Sequence, residues 1–440
     1  MPSTAFDSPN AHLLQRLVAA GQTRKVVITR DIYDLDGRKL AGARQSVVAS
    51  LGDRLKGQQL EVPLELCVEV ADGVHGSELA HQALRVVDRH PALARLGHRC
   101  DALITSTMHS IALDGVARML VSAAAERSFE AVERSVAVSF VSGALAQHAG
   151  FGAREVEHAV YAGLLHDVGE LYLPEALFQP ARVLEAEEWR LMASHPYIGG
   201  EVLRKLCHQP LAIVRAVQEH HERLDGSGYP ARLSSGNLSR LGQVTMLAEA
   251  LVGVLTQRRA PESRALWLLR LGSNRFDATL AQIAGSFLVP DATLDETSLT
   301  VEHIAAHARA IADGLRDATA LAASVEVTPD LRSPEAFAAG LVRHASMQFT
   351  PTLTACSAEL DQWQPGSAQD DRMLGELETL VREAQWQLAS LSRDLAVILR
   401  DLTEPNPWLA AAIGLLARAG RGEGIDSLAN HRGAAAMTWC

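Results

Sequence analysis

From residue 77 onward the chain consists mainly of alanine- and leucine-rich windows with helical periodicity, and this pattern constrains the fold more than any other feature of the sequence. Apolar residues that recur every three or four positions form one face of an amphipathic helix, and that face has to be buried against other helices. Short turns that contain Gly, Pro or Asn separate the windows. The sequence therefore predicts a mainly α-helical protein.

The two ends of the chain differ from its middle. Before residue 77, short β-branched runs and a turn at 34–37 predict a small N-terminal α/β unit, which we assign to residues 1–75. After residue 290 an apolar seam with steps of three and four predicts a C-terminal helical bundle, which we assign to residues 291–440. A coiled-coil dimer would bury the same seam, and we favour the intramolecular bundle. The seam consists of Val301, Ile304, Ala308, Ile311, Leu315 and Ala318, and then of Leu374, Leu377, Val381, Ala384, Leu388, Leu391, Leu395, Ile398 and Leu402.

Composition limits the functions that are open to the chain. The formal net charge of −11 argues against DNA as a partner, because sequence-independent binding to DNA depends on lysine and arginine. The five cysteines are odd in number and have no CxxC spacing, which fits a reduced cytoplasm rather than a disulfide framework or a thiolate zinc site. No apolar run approaches the roughly 18 residues of a membrane-spanning helix. We therefore expect a cytoplasmic protein without a membrane span.

Histidine and carboxylate side chains are concentrated in the middle of the chain. A lone histidine in such a region is more often structural, but several donors at helix ends or helix faces together favour a metal site. Neutral imidazole and carboxylate are donors that Fe, Mn and Zn accept. An aspartate next to a ligand histidine can bridge two metal ions about 3.5–4 Å apart, an arrangement typical of phosphohydrolases. The candidate ligands are His166, Asp167, His195, His220, His221 and Glu249.

Three motifs in this region resemble the signatures of the HD-GYP subgroup of the HD-superfamily phosphohydrolases: HDVG at 166–169, HPYIGG at 195–200 and HHERLDGSGYP at 220–230. The segment RLGQVTMLAEA at 240–250 is similar to the helix that follows the loop in that family. The resemblance covers roughly residues 125–290, which we assign to an HD-GYP-like domain. Residues 76–124 are then connecting helices.

The resemblance implies an all-helical domain with a bi- or trinuclear iron or manganese centre that hydrolyses cyclic di-GMP, a bacterial second messenger. It assigns the six candidate ligands to one or two metal ions, with Asp167 also catalytic. Arg240 or backbone amides near the GYP loop would hold a phosphate of the substrate, and Glu130 matches an acidic position that supports a third metal in some members. The loop residues assigned to substrate binding, together with Arg240, are Asp225, Gly226, Gly228, Tyr229 and Pro230.

The chain departs from the family pattern at residues that carry the chemistry. Arg134 stands where the family has its first ligand histidine, and a guanidinium has no lone pair to offer a metal. Arg134 can either point into the metal cavity or form an ion pair with Glu130. Glu170 stands where the family has a lysine that meets a substrate phosphate, and Glu249 replaces the closing aspartate.

These departures favour a bacterial signalling protein whose phosphodiesterase activity is reduced or lost and which acts as a regulatory or binding protein. In that case the metal site could also have been lost altogether. The alternative is an active metal-dependent phosphodiesterase that hydrolyses cyclic di-GMP or another phosphate ester. The expected partners are a cyclic dinucleotide and either another protein or a second copy of the chain, bound through the C-terminal helices.

Overall fold

The computed structural model describes residues 6, 8–111, 113, 115–127, 129–179, 184, 186–256, 261–290, 299–323, 334–363, 368–401 and 406–421. Within these residues the protein is mainly helical, as the sequence predicts. No described helix combines the length and the apolar character that a membrane span requires.

The N-terminal part contains two small antiparallel sheets with two short helices. Strand β1 (Val26–Ile28) pairs with β4 (Val68–Val70), and β2 (Ile32–Tyr33) pairs with β3 (Lys39–Ala41). Helix α1 (Ala11–Ala20) begins at Asn10, whose side chain accepts hydrogen bonds from the first backbone N–H groups of the helix. Helix α2 (Ala49–Leu55) lies between β3 and β4 along the chain. The predicted small α/β unit is confirmed.

The central helices follow at short intervals along the chain. A 3-10 helix at Val168–Tyr172 continues the chain directly after α8. The helices are α3 (Gly76–Arg89), α4 (Pro91–Leu96), α5 (Asp101–Ser110), α6 (Gly115–Arg127), α7 (Phe129–His148), α8 (Ala153–Leu165), α9 (Ala186–Met192), α10 (His195–Lys205), α11 (Leu211–Glu219), α12 (Arg240–Leu255), α13 (Pro261–Leu271) and α14 (Ala278–Ser286).

The N-terminal unit and the central helices share one hydrophobic core. This core extends from Leu13 in α1 through Phe140 in α7 to Leu251 in α12, all of them fully buried. Hydrogen bonds add to the packing, because the guanidinium of Arg16 donates to the backbone carbonyl of Glu170 at 2.8 Å. The N-terminal unit therefore supports the segment that directly follows α8.

The C-terminal helices form a second core of their own. They are α15 (Val301–Ala322), α16 (Pro334–Asp361), α17 (Ala368–Asp401) and α18 (Pro407–Arg421). The seam of α17 is buried against the other helices of the same chain, with Leu388 and Leu395 fully inaccessible to solvent. The structure thus agrees with the intramolecular bundle; of the seam residues, Leu402 lies outside the described part of the chain.

Helix α17 of the bundle packs against α13 and α9 of the central part. At this junction the guanidinium of Arg275 donates to the side chain of Gln387 at 3.1 Å, and Arg264 lies 3.5 Å from the buried carboxylate of Glu383. The bundle therefore covers one face of the central helices. The division into four segments at the predicted boundaries stays a prediction.

Candidate metal centre

The six predicted ligands converge on one buried site. His166 and Asp167 follow α8, His195 begins α10, His220 and His221 follow α11, and Glu249 lies in the middle of α12. The four histidines and Glu249 are at most 5% exposed. Helices α8, α10, α11 and α12 thus bring their ends or faces to one point, as the spacing of the motifs predicts.

Gly169 allows the first two of these elements to meet. A Cβ atom at this position would lie 2.0 Å from the backbone carbonyl oxygen of His195 and 2.7 Å from the backbone nitrogen of Gly199. Real Cβ atoms do not approach backbone this closely. The glycine of the HDVG motif is therefore needed for the turn after Asp167 to pack on the start of α10.

Three of the histidines are oriented by backbone carbonyl groups. The Nδ1 atoms of His166, His195 and His220 lie 2.8, 2.8 and 2.6 Å from carbonyl oxygens three residues earlier in the chain. Only an N–H group can face a carbonyl oxygen at this distance, so Nδ1 carries the proton and Nε2 of the neutral ring keeps its lone pair. This is the arrangement that a histidine ligand of a metal requires.

The three Nε2 atoms all face the carboxylate of Asp167. The Nε2 atoms of His166, His195 and His220 lie 2.9, 3.4 and 3.5 Å, respectively, from a carboxylate oxygen of Asp167. Two sets of possible metal-donor atoms include this carboxylate, and within each set all donor atoms lie within 4.8 Å of one another. One set is Asp167 with His195, His220 and His221, and the other is His166, Asp167 and Glu249. The residues present therefore fit a divalent metal ion, and Asp167 belongs to both sets.

Arg134 enters this site from α7. Its guanidinium forms an ion pair with the carboxylate of Glu249, which is itself buried. Burial alone would raise the pKa of Glu249, but Arg134 and His166 outweigh it and lower the pKa to about 2. Of the two placements that the sequence left open, the structure shows Arg134 in the cavity; the side chain of Glu130 lies outside the described residues.

The histidines of the site differ in their affinity for protons. Burial lowers the pKa of His220 to about 4 and holds that of His221 well below its usual range. For His166, burial acts in the same direction, but Asp167 and Glu249 outweigh it and raise the pKa. A metal ion at His166 would consequently compete with a proton, whereas His220 and His221 are already neutral.

A cavity of about 890 Å³ opens beside the metal centre. Asp167, His195, His221 and Glu249 line it together with Arg134. Glu170, which stands where the family pattern has a lysine, also lines the cavity. At another part of the wall Arg89 of α3 forms an ion pair with Glu133. Both positively and negatively charged side chains therefore line the cavity.

The loop after His221 is held together by its own side chains. Asp225 accepts hydrogen bonds from the backbone N–H of Ser227 at 3.0 Å and from its hydroxyl at 2.6 Å, and Gly226 has a φ of +79°. A Cβ atom at Gly228 would lie 2.3 Å from Cα of Glu222. These contacts explain why the conformation of the loop depends on Asp225, Gly226 and Gly228.

Among the predicted substrate-binding residues of this loop, Tyr229 lines the cavity. Its ring stacks on that of His221, with ring centroids 4.6 Å apart and an interplanar angle of 21°. Asp225, Gly226 and Pro230 are not among the described residues that line the cavity. A role of the whole loop in substrate binding therefore stays a prediction.

Glu222 is a structural residue of the site that our sequence reasoning missed. Its buried carboxylate accepts hydrogen bonds from the backbone N–H groups of Ala231 at 2.7 Å and Leu233 at 2.8 Å. It thereby ties the end of the loop to the helix end that carries His220 and His221. Its position directly after the two histidines was the available signal.

The structure shows where Arg240, a predicted phosphate-binding residue, lies on α12. The side chain is 69% exposed, stacks over the ring of Phe151 and lies 4.0 Å from the carboxylate of Glu155. It is not among the described residues that line the cavity, and it precedes Glu249 by nine residues, about 13 Å along the helix axis. A contact between Arg240 and a substrate phosphate therefore stays a prediction.

Comparisons with known proteins agree with the geometry. Residues 118–280 match the family model described as "HD domain". A 3'3'-cGAMP-specific phosphodiesterase of Vibrio cholerae is 30% identical over 131 residues, which are 30% of this chain and 25% of that protein. A cyclic di-GMP phosphodiesterase of Pseudomonas aeruginosa is 34% identical over 125 residues, 28% of this chain and 30% of that protein.

The similarity is confined to part of each protein. A cyclic di-GMP phosphodiesterase of Thermotoga maritima is 28% identical over 134 residues, 30% of this chain and 36% of that protein, so the chain spans about a quarter to a third of these relatives. A solved structure of an HDG"Y"P protein from Bdellovibrio bacteriovorus has 17% identity, a TM-score of 0.34 and coverage of 59% of this chain and 94% of the other. Residues 118–280 of this chain thus match an HD domain, and the HDVG, HPYIGG and HHERLDGSGYP motifs within them resemble the signatures of the HD-GYP subgroup.

Proposed function

We propose that this chain is a bacterial regulatory or binding protein that recognises a cyclic dinucleotide through its HD-GYP domain and hydrolyses it slowly or not at all. The observation that carries the proposal is the ion pair between Arg134 and Glu249 inside the metal centre. The relatives named above act on cyclic di-GMP or 3'3'-cGAMP, which supports a cyclic dinucleotide as the ligand.

The ion pair acts on the chemistry in two ways. It places a group without a lone pair beside the ligand Glu249, and it neutralises a carboxylate that would otherwise balance the charge of a metal. A bound divalent ion supplies Lewis-acid chemistry toward a phosphate ester. Altering only a residue that orients a ligand costs about 10–100-fold in metal affinity or activity, and the replacement of a ligand is expected to cost more.

The residues around the cavity support binding more than turnover. Tyr229 lines the cavity, and so do Arg89 and Arg134, each of which forms an ion pair with a glutamate. Glu170 opposes them, because a carboxylate repels a phosphodiester at close range. These features support the proposal of a site that binds a nucleotide, with Arg134 and Glu170 standing where the family pattern has a ligand histidine and a lysine.

The test measures binding and hydrolysis separately. Purified protein is reconstituted anaerobically with Fe(II) or Mn(II), titrated calorimetrically with cyclic di-GMP and 3'3'-cGAMP, and assayed for linear and mononucleotide products. We expect binding without measurable turnover, and turnover in the Arg134→His variant. Rapid turnover by the unaltered protein that Asp167→Ala abolishes would contradict the proposal.

The alternative is an active phosphohydrolase with an altered centre. It is favoured by the intact donor set of Asp167, His195, His220 and His221. In the same assay this alternative predicts turnover by the unaltered protein and a further loss in His195→Ala. A panel of other phosphate esters extends the test to substrates outside the cyclic dinucleotides.

A further inference from the structure

We infer that this centre binds one divalent metal ion, at Asp167, His195, His220 and His221. Beside His166 and Glu249, the guanidinium of Arg134 supplies the positive charge that a second metal ion would otherwise supply. The inference concerns the same centre as the proposed function, but it is a statement about metal content and does not depend on turnover.

The first donor set is suited to a single ion. The Nε2 atoms of His195 and His220 lie 3.2 Å apart, and both rings direct Nδ1 to a backbone carbonyl. Two neutral rings held in this way face each other with lone pairs, and a cation between them removes the conflict. Nδ1 of His221 is also buried, and it makes no hydrogen bond within the described residues. Three imidazoles and one carboxylate can thus donate lone pairs to one cation.

The second donor set already has its positive charge. It contains one imidazole and two carboxylates, and the guanidinium of Arg134 contacts Glu249, one of the two carboxylates. Arginine stays protonated at any accessible pH, so this charge cannot be removed to admit a metal. A second divalent ion at Glu249 would lie beside the guanidinium in a buried site, where repulsion between like charges is strong.

Counting charges leads to the same stoichiometry. Asp167 and Glu249 contribute two negative charges, and Arg134 balances that of Glu249. Asp167 and the three neutral imidazoles then remain for one divalent ion, which is a common ligand set for first-row metals. With a neutral side chain at position 134, both carboxylates would be available and the second set could accept an ion.

Metal content tests this inference directly. The full chain is stripped with a chelator, loaded anaerobically with excess Mn(II), desalted and analysed for metal per chain, and its electron paramagnetic resonance spectrum is recorded. We expect one Mn(II) per chain and the spectrum of an isolated ion. Arg134→His should bind two ions and show spin coupling, whereas Arg134→Lys, which keeps a cation, should still bind one.

Two further variants test the position of the ion. His195→Ala should lose the single ion, whereas Glu249→Gln should keep it. Circular dichroism and thermal unfolding show whether each variant is folded. Two coupled ions in the unaltered protein, no retained ion, or loss of the ion in Glu249→Gln but not in His195→Ala would each overturn the inference. Turnover with one bound ion would contradict the proposed function and leave this inference standing.

Discussion

The Nε2 atoms of His195 and His220 lie 3.2 Å apart, and this contact shows how individual residues prepare the centre for a cation. In the metal-free protein a proton on His195 relieves the contact: burial lowers the pKa of this ring, but Asp167 outweighs burial and raises it. A metal ion relieves the same contact. The backbone carbonyls that face Nδ1 of both rings are thus part of the metal site, although they donate nothing to a metal.

At Glu170 we predict a gain in ligand affinity on charge reversal. Glu170→Lys places a cation on the cavity wall, so we expect cyclic di-GMP to bind about tenfold more tightly, which corresponds to about 1.4 kcal/mol. Isothermal titration calorimetry measures the Kd. Glu157→Lys, an exposed position outside the cavity wall, is the matched control for the change in net charge. An equal gain in both variants would show that the local contact is not responsible.

At Gly228 we predict that a single methyl group disturbs the site. The new Cβ atom would overlap the backbone of Glu222, so Gly228→Ala should lower the free energy of unfolding by about 1–3 kcal/mol. Because the loop also carries Tyr229 onto His221, metal affinity should fall as well. Urea unfolding and metal titration measure the two effects. Gly236→Ala, where the added Cβ atom would meet no atom within 4 Å, is the control.

At the scale of elements, helix α17 lies beside the loop that follows His221. Trp386, Arg393 and Asp394 of this helix line a small cavity of about 40 Å³ with Tyr229 and Arg275. Ionisable groups from both sides meet here. The pKa of Asp394 is raised to about 6, because burial outweighs the attraction of Arg393 and of the arginines at 275, 232 and 223.

This interface predicts a pH dependence of stability. An acid whose pKa is higher in the folded than in the unfolded protein binds its proton more tightly when folded. The free energy of unfolding should therefore fall as pH rises from about 4 to about 6, and Asp394→Asn should remove about 1–2 kcal/mol of that fall. Urea unfolding at several pH values measures it. Asp361→Asn, at an exposed carboxylate of α16, should leave the fall unchanged; if Asp394→Asn does the same, the assignment is wrong.

At the scale of the whole molecule, the two hydrophobic cores predict unequal effects of truncation. The N-terminal unit shares its core with the central helices, whereas the C-terminal bundle has a core of its own. We expect residues 1–290 to remain a cooperatively unfolding helical protein. Residues 76–440, which lack α1 and the sheets, should expose apolar surface and aggregate.

Circular dichroism, thermal unfolding and size-exclusion chromatography of the two fragments check this prediction. The point variant Arg16→Ala is a milder version, because it removes hydrogen bonds to the carbonyls of Glu170 and Leu173 without removing an element. We expect it to cost about 1.5–3 kcal/mol. A stable, soluble fragment 76–440 would mean that the central helices have an independent core.

Local patterns in the sequence determined the helical class, the donor set and the loop. Helical periodicity identifies the buried face of a helix independently of the elements that pack against it. The seam of α15 and α17 could therefore be predicted from the sequence alone. The donors could be found because each lies in a short motif at the end or on the face of a helix. Gly228 is likewise explained by a local contact, with the backbone of Glu222 six residues earlier.

Only the tertiary structure determined which elements pack against one another. Arg134 and Glu249 are 115 residues apart in sequence, and only the packing of α7 beside α12 makes them an ion pair. The same packing leaves Arg240 at the exposed end of α12, whereas its motif suggested a place at the metal. The shared core of the N-terminal unit and the position of α17 beside the loop also depend on long-range contacts. Periodicity shows that a face is buried but does not identify its partner, so these relationships depend on the assembled fold.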